Sequence, residues 1–297
     1  MQIQRIAAFT RDGRGGNPAG VVLLDTMPPR EVMQRVAAEV GYSETVFAAP
    51  KGESWDVRYF SPETEVPFCG HATIALGAAL ARARGAGRFQ LTLVAGPIAL
   101  EAEMRDGVAH ARLWSPPTRN RPVPRPLLTE ALALFGYAEA DLDPALAPKL
   151  AHAGADHLIM PLRSRELLAA MTYDLEAGRR LLQRHGLVTV ALVWRAEERV
   201  FHARNAFASG GVIEDPATGA AAAALAGLLR DTGALGAGTM TVLQGDDMGV
   251  PSTIETSFTA VAGSPVEVAG ATAIIAPGLD AAPRALADAR PLAKEQR

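Results

Sequence analysis

The chain has 297 residues, 48% of them hydrophobic and 21% charged, which is the composition of a globular protein and excludes a disordered or fibrous one. Its net charge is −3 and its arginines are scattered, so it lacks the basic stripe that general nucleic-acid binding needs. The single cysteine, Cys69, excludes an internal disulfide and a multi-cysteine zinc or iron–sulfur site, and suits a reducing cytoplasm.

Apolar runs such as residues 220–229 are too short to cross a bilayer, and residues 1–10 lack the apolar stretch of a signal peptide. A cytoplasmic protein with neither membrane nor nucleic acid as a partner is expected. The length accommodates two domains of roughly 150 residues each.

In chain order, residues 2–9 and 20–24 read as strands around a glycine-rich turn. A helix follows, with Pro28 and Pro29 at its start, Val32, Val36 and Val40 at i+4 spacing, and Gly41 as its stop. Residues 43–49 and 55–60 are strand-like. The stretch GHATIALGAALARAR, residues 70–84, is helical and free of charge until its last turn, which predicts a central helix surrounded by protein. Strands are expected at 89–95, 98–104 and 108–114, and the proline-rich run 121–126 marks the best domain boundary.

The second half repeats this order: a strand ending near Leu162, a helix over 174–185 stopped by Gly186, strands at 187–194 and 200–207, and an apolar helix over 219–229. Strands at 240–244, 252–259 and 266–275 follow. Gly41 and Gly186 are 145 residues apart and Gly70 and Gly219 are 149 apart, as an internal duplication requires. The expected domains are residues 1–118 and 119–275, with the segment near 276–297 a candidate addition to the first and 283–297 a candidate surface helix.

Each half places a glycine-containing polar turn before its apolar helix, PFCGHAT at 67–73 and EDPATGA at 214–220. A helix start offers unpaired N–H groups and a partial positive charge, so two facing starts can hold a small carboxylate and stabilise charge developing on it without a metal. The competing reading makes Gly70 and Gly219 close-packing residues, with Thr73 and Thr218 as local caps. Glu44, directly after a helix stop, is either solvated at a strand end or held in a pocket as a general acid/base. His71 lies in the first turn of its helix, and Asp215 in the corresponding turn of the other half. Cys69 is a nucleophile in principle, although lone cysteines are usually small buried hydrophobes, and a two-thiol racemase is excluded by its count. There is no phosphate loop, dinucleotide fingerprint, nucleophile elbow or HExxH zinc motif.

The segments GNPAG (16–20), SETVF (43–47), RYFSPETEVPFCGHAT (58–73), EDPATGA (214–220) and QGDDMGVPS (244–252) together resemble the PhzF-like, or phenazine-biosynthesis isomerase-like, family over residues 2 to about 277. The resemblance implies the α+β fold of the diaminopimelate epimerases: two similar domains, each a β-barrel-like sheet around a central α-helix, with the site between them. It further implies a cofactor-free and metal-free isomerase moving a proton between carbons of a small carboxylic acid, and a homodimer. By similarity Glu44 is the acid/base and His71 and Asp215 assist, with Asn17, Gly70, Thr218, Gly219 and Ala220 shaping the substrate pocket. Family members often carry Ser at position 220 and Arg at position 250, where this chain has Ala220 and Val250. Those departures put an anthranilate-type substrate in question and leave two rival readings, a racemase or epimerase of an amino or hydroxy acid and an inactive small-acid binder.

Overall fold

Val- and aromatic-rich runs alternate with helices along the chain, and in the computed structural model, which describes residues 1–276, they build two topologically repeated halves. The segment beyond residue 276, and with it the helix expected over 283–297, lies outside the described residues.

The first half runs β1 (Gln4–Ala8), β2 (Asn17–Leu23), α1 (Arg30–Val40), β3 (Thr45–Lys51), β4 (Ser54–Phe60), β5 (Glu65–Val66), α2 (Gly70–Arg84), β6 (Gly87–Leu93), β7 (Gly96–Arg105) and β8 (Val108–Trp114). The second runs β9 (Arg119–Pro122), α3 (Arg125–Phe135), β10 (Lys149–His152), β11 (Asp156–Pro161), α4 (Arg165–Ala169), α5 (Leu175–His185), β12 (Thr189–Glu197), β13 (Val200–Ala206), β14 (Glu214–Asp215), α6 (Gly219–Asp231), β15 (Gly238–Gln244), β16 (Ser252–Phe258) and β17 (Glu267–Ile274).

The duplication is visible in the hydrogen bonding. β2 lies parallel to β3 as β11 does to β12, β4 is parallel to β6 as β13 is to β15, and the short β5 pairs antiparallel with β4 as β14 does with β13. An ion pair is duplicated too: Arg58 with Glu65 in the first half, Arg204 with Glu214 in the second. Each ties the strand preceding a central helix to its neighbour.

Eight strands, β1, β2, β3, β4, β6, β7, β8 and β17, pair in a closed cycle around α2. A helix of small and apolar residues with no charge before Arg82 has no face to turn to water, and all its residues from His71 to Ala81 are buried. α6 is buried in the same way from Gly219 through Arg230, apart from Ala220. Residues 266–275 were expected to close the second half. Instead β17 bridges the halves, pairing β8 through residues 267–271, β16 through 267–269 and β1 through 272–274.

Two other expectations differ in detail. Val32, Val36 and Val40 are only half-buried, and the fully buried residues of α1 are Met33 and Ala37, one position round the helix, which pack on Val22, Phe47 and Phe60. The proline-rich run is ordered structure. Its first residues end β9, an antiparallel partner of β10, and Pro124 and Pro126 open the unexpected helix α3, where a missing N–H breaks no intrahelical bond.

Candidate active site

The sequence positions the site from both halves. α1 ends at Gly41 in the left-handed conformation, at φ 73°, which lets the chain turn sharply so that Glu44 sits at the mouth of β3. Its backbone carbonyl accepts from Gly20 N–H at 3.1 Å, and its side chain is 16% exposed. Facing it, His71 is the second residue of α2 and is 7% exposed. Its Nε2 lies 3.4 Å from a Glu44 carboxylate oxygen and 3.4 Å from Ser43 Oγ, while its Nδ1 lies 3.3 Å from Cys69 Sγ. Cys69 holds the N-cap position of α2.

The other half supplies Asp215. Asn17, at the start of β2, donates from Nδ2 to Asp215 Oδ1 at 2.8 Å and to the carbonyl of Ala217 at 3.2 Å, and Thr218 Oγ1 donates to Asp215 Oδ2 at 2.5 Å. Burial pushes the Asp215 carboxyl up to about 6, Glu44 adds to the rise, and His71, Thr218 and Asn17 oppose it. Burial also pushes the Cys69 thiol well up, with Glu44 and Asp215 both adding to it. Asp215 and Cys69 thus lie within electrostatic reach of Glu44, and α2 and α6 are in contact.

Behind Asp215 runs a polar chain. Gln244, 1% exposed, donates to the carbonyl of Asp215 at 2.6 Å and accepts from Thr218 N–H and from Asn205 Nδ2, each at 3.2 Å. Thr189 Oγ1 donates to Asn205 Oδ1 at 2.9 Å, and His157 Nδ1 is 2.8 Å from Thr189 Oγ1. His157 is fully buried and held down to about 4 by that burial, with its Nε2 left without a partner.

The turn carrying Asn17 is clamped to the opposite half. A Cβ on Gly15, at φ 63°, would lie 2.2 Å from the carbonyl oxygen of Pro251, and Gly16 N–H donates to that same oxygen at 3.1 Å. Arg11 completes the clamp with hydrogen bonds to both carboxylate oxygens of Asp246, at 2.7 and 3.2 Å. Beneath α6, Phe9 takes φ 61°, rare for a bulky residue, and its ring fills the space beside Gly219 and Gly270.

Glu44, His71, Asp215, Asn17 and Thr218 are thus brought together, with Gly70 and Gly219 at the two helix starts. The spaces around the glycines differ: a Cβ on Gly70 meets nothing within 4 Å, while one on Gly219 meets Phe9 and Val268 at 3.3 Å. Asp215 does not correspond to His71. It follows Glu214 in β14 as Val66 follows Glu65 in β5, and the counterpart of His71 is Ala220, whose methyl offers no polar group. Neither threonine caps its helix; Thr73 donates to the carbonyl of Cys69 at 2.6 Å. Ser43, Gln244, Asn205 and His157 were not expected as site or supporting residues, and Cys69, weighed as a nucleophile against a buried hydrophobe, is buried and lies against His71. Gln244 stood in a quoted motif, whereas the partners of Asn205 and His157 are distant in the chain.

The comparisons with known proteins decide the family. A profile described as phenazine biosynthesis-like protein, PhzC-PhzF, matches residues 6–278. The chain belongs to the PhzF family of isomerases. An uncharacterized isomerase of Deinococcus radiodurans is 35% identical over 260 residues, 84% of either chain. The trans-2,3-dihydro-3-hydroxyanthranilate isomerase of Pseudomonas fluorescens is 30% identical over 251 residues, 83% of this chain and 86% of that one. The crystal structure of a PhzF-family protein of Bacillus anthracis superposes with a TM-score of 0.82 at 23% identity, covering 93% of this chain and 98% of the other. The fold is the α+β, diaminopimelate epimerase-like one. No helix among the described residues is long and apolar enough to cross a membrane.

Proposed function

We propose that this PhzF-family isomerase moves a proton between two carbons of a small carboxylic acid, with Glu44 as the general acid/base. The observation that carries the reading is the shielded Glu44 carboxylate, 3.4 Å from His71 at the start of α2. Glu44 takes the proton from one carbon, the electron pair left behind delocalises into the adjoining unsaturated system, and the Glu44 carboxylic acid returns the proton to a second carbon. The first N–H groups of α2 and α6 stabilise the transient negative charge. Asp215, titrating near 6, donates or accepts a hydrogen bond across neutral pH and steadies the substrate opposite Glu44. Side chains and backbone alone perform these steps.

The absence of a hydroxyl at Ala220 and of a guanidinium at Val250 favours a substrate other than a hydroxyanthranilate. A second reading, racemisation of an amino or hydroxy acid, draws on the carriage of Glu44 and Asp215 by opposite halves, which presents two acid/base groups to one substrate.

A panel of small unsaturated, amino and hydroxy acids incubated in heavy water separates these readings. The native protein is expected to place deuterium at a substrate carbon, and Glu44→Gln to lower that rate by about 10²–10⁴-fold. Undiminished exchange in the variant removes Glu44 from its role, and inversion at a stereocentre selects the racemase.

A further inference from the structure

The three groups at the start of α2 are also a metal-donor set. Glu44 offers a carboxylate oxygen, Cys69 a sulfur and His71 a ring nitrogen, all within 4.8 Å of one another. With Nε2 as the histidine donor, the Sγ–Nε2 separation is 4.0 Å and the Nε2–Oε2 separation 3.4 Å. Tetrahedral zinc, with bonds of about 2.3 Å to sulfur and about 2.0–2.1 Å to nitrogen or oxygen, holds its ligand atoms roughly 3.3–3.6 Å apart. The Nε2–Oε2 separation already matches, while the Sγ–Nε2 separation and the sulfur–carboxylate separation, at most 4.8 Å, must close around the ion.

We propose that Glu44, Cys69 and His71 bind a soft divalent transition-metal cation, zinc above all, and that its presence shuts the site. A thiolate, an imidazole and one carboxylate suit zinc and its neighbours, whereas magnesium and calcium take oxygen ligands. Two of the donors ride on one rigid helix start and the third on the strand mouth facing it. Nε2 now lies 3.4 Å from both Glu44 and Ser43 Oγ, at the long end of hydrogen bonding, and the 3.3 Å contact of Cys69 Sγ with Nδ1 opens as the sulfur turns to the ion.

On binding, the Cys69 thiol releases its proton to solvent as the sulfur–zinc bond forms, the ion sheds hydration waters, and zinc stays divalent throughout. The carboxylate that would accept a substrate proton is then engaged by the metal. Binding is independent of the proposed isomerisation; only the inhibitory consequence rests on it.

Cobalt(II) is the probe. Cys69 is the chain's one cysteine, so a thiolate-to-cobalt charge-transfer band has a single source. Titration of the full-length protein is expected to give that band at one equivalent, zinc to displace it, and Cys69→Ser to lack it. Absence of the band from the native protein, or its persistence in Cys69→Ser, overturns the proposal. Should Cys69→Ser fail to fold by circular dichroism, Glu44→Gln serves: its cobalt affinity is expected to fall by about 10–100-fold, and an unchanged affinity overturns the assignment. These spectra are independent of turnover, so their failure is distinct from failure of the isomerase reading. With a substrate in hand, equimolar zinc is expected to suppress deuterium exchange more than about tenfold and a chelator to restore it; full exchange at spectroscopic saturation refutes the inhibitory part.

Discussion

Asn17 donates to Asp215 across the junction of the two halves, over 2.8 Å in space and 198 positions in sequence. The bond joins the first residue of β2 to the last of β14, so the acid in one half is held partly by the other, alongside its own Thr218.

Asp215 carries a stability consequence with a definite sign. Its folded value near 6 stands above the ordinary 3.8, so its contribution is fully present below pH 4 and is lost as pH rises through 6. Asp215→Asn, which keeps the shape and the bond from Asn17, is expected to raise stability at pH 8 by up to about 3 kcal/mol and to give no gain below pH 4. Urea melts across that range check it, and deuterium exchange on the same samples is expected to fall.

His157 acts in the opposite direction. Its folded value near 4 lies below the ordinary 6.5, so the stability it confers is present above pH 6.5 and is lost as pH falls towards 4. The loss amounts to about 3 kcal/mol over that window. His157→Asn, although less stable at neutral pH, is expected to show a flatter acid limb; an equally steep limb in the variant removes His157 as its cause.

The duplicated ion pairs differ in burial and so in expected cost. The Glu214 side chain is 4% exposed, and Arg204 also donates to the carbonyls of Ala169 and Met171, at 2.9 and 3.2 Å. Arg204→Ala leaves a buried carboxylate unpaired and is expected to cost about 3–5 kcal/mol. Arg58 is 27% exposed, and Arg58→Ala is expected to cost about 1 kcal/mol. Chemical denaturation of the two variants side by side checks the ranking.

Gly70 separates function from stability. Its absent Cβ points into open space at the start of α2, so Gly70→Ala is expected to fold with unchanged or slightly higher stability, by up to about 1 kcal/mol. The added methyl enters the space the substrate needs, and exchange activity is expected to fall about tenfold or more. Full activity in that variant places the substrate elsewhere.

Much of the architecture was legible because local chemistry declares it. The charge-free stretch of α2 demanded burial, and Gly41 and Gly186 ended their helices in left-handed caps at φ 73° and 65°. The buried face of α1 was not legible, because an i+4 valine stripe does not say which neighbouring row meets the sheet. α3 was masked by prolines that read as a linker. At the site, Glu44, His71 and Asp215 were named through motifs, whereas the chain from Gln244 through Asn205 and Thr189 to His157 spans strands far apart in sequence and has no local signature.

The handover at β17 has a consequence for how the molecule is made. A ribosome releases β1 to β8 about 150 residues before the strand that completes their ring, so the first barrel stays open through most of synthesis, with strand edges of β1 and β8 unsatisfied. Closing it late requires contacts of very long sequence separation, which slows folding and leaves the nascent chain dependent on protection from aggregation. Dividing the gene between the halves would accordingly yield an N-terminal fragment that remains unfinished until the C-terminal one is supplied in trans.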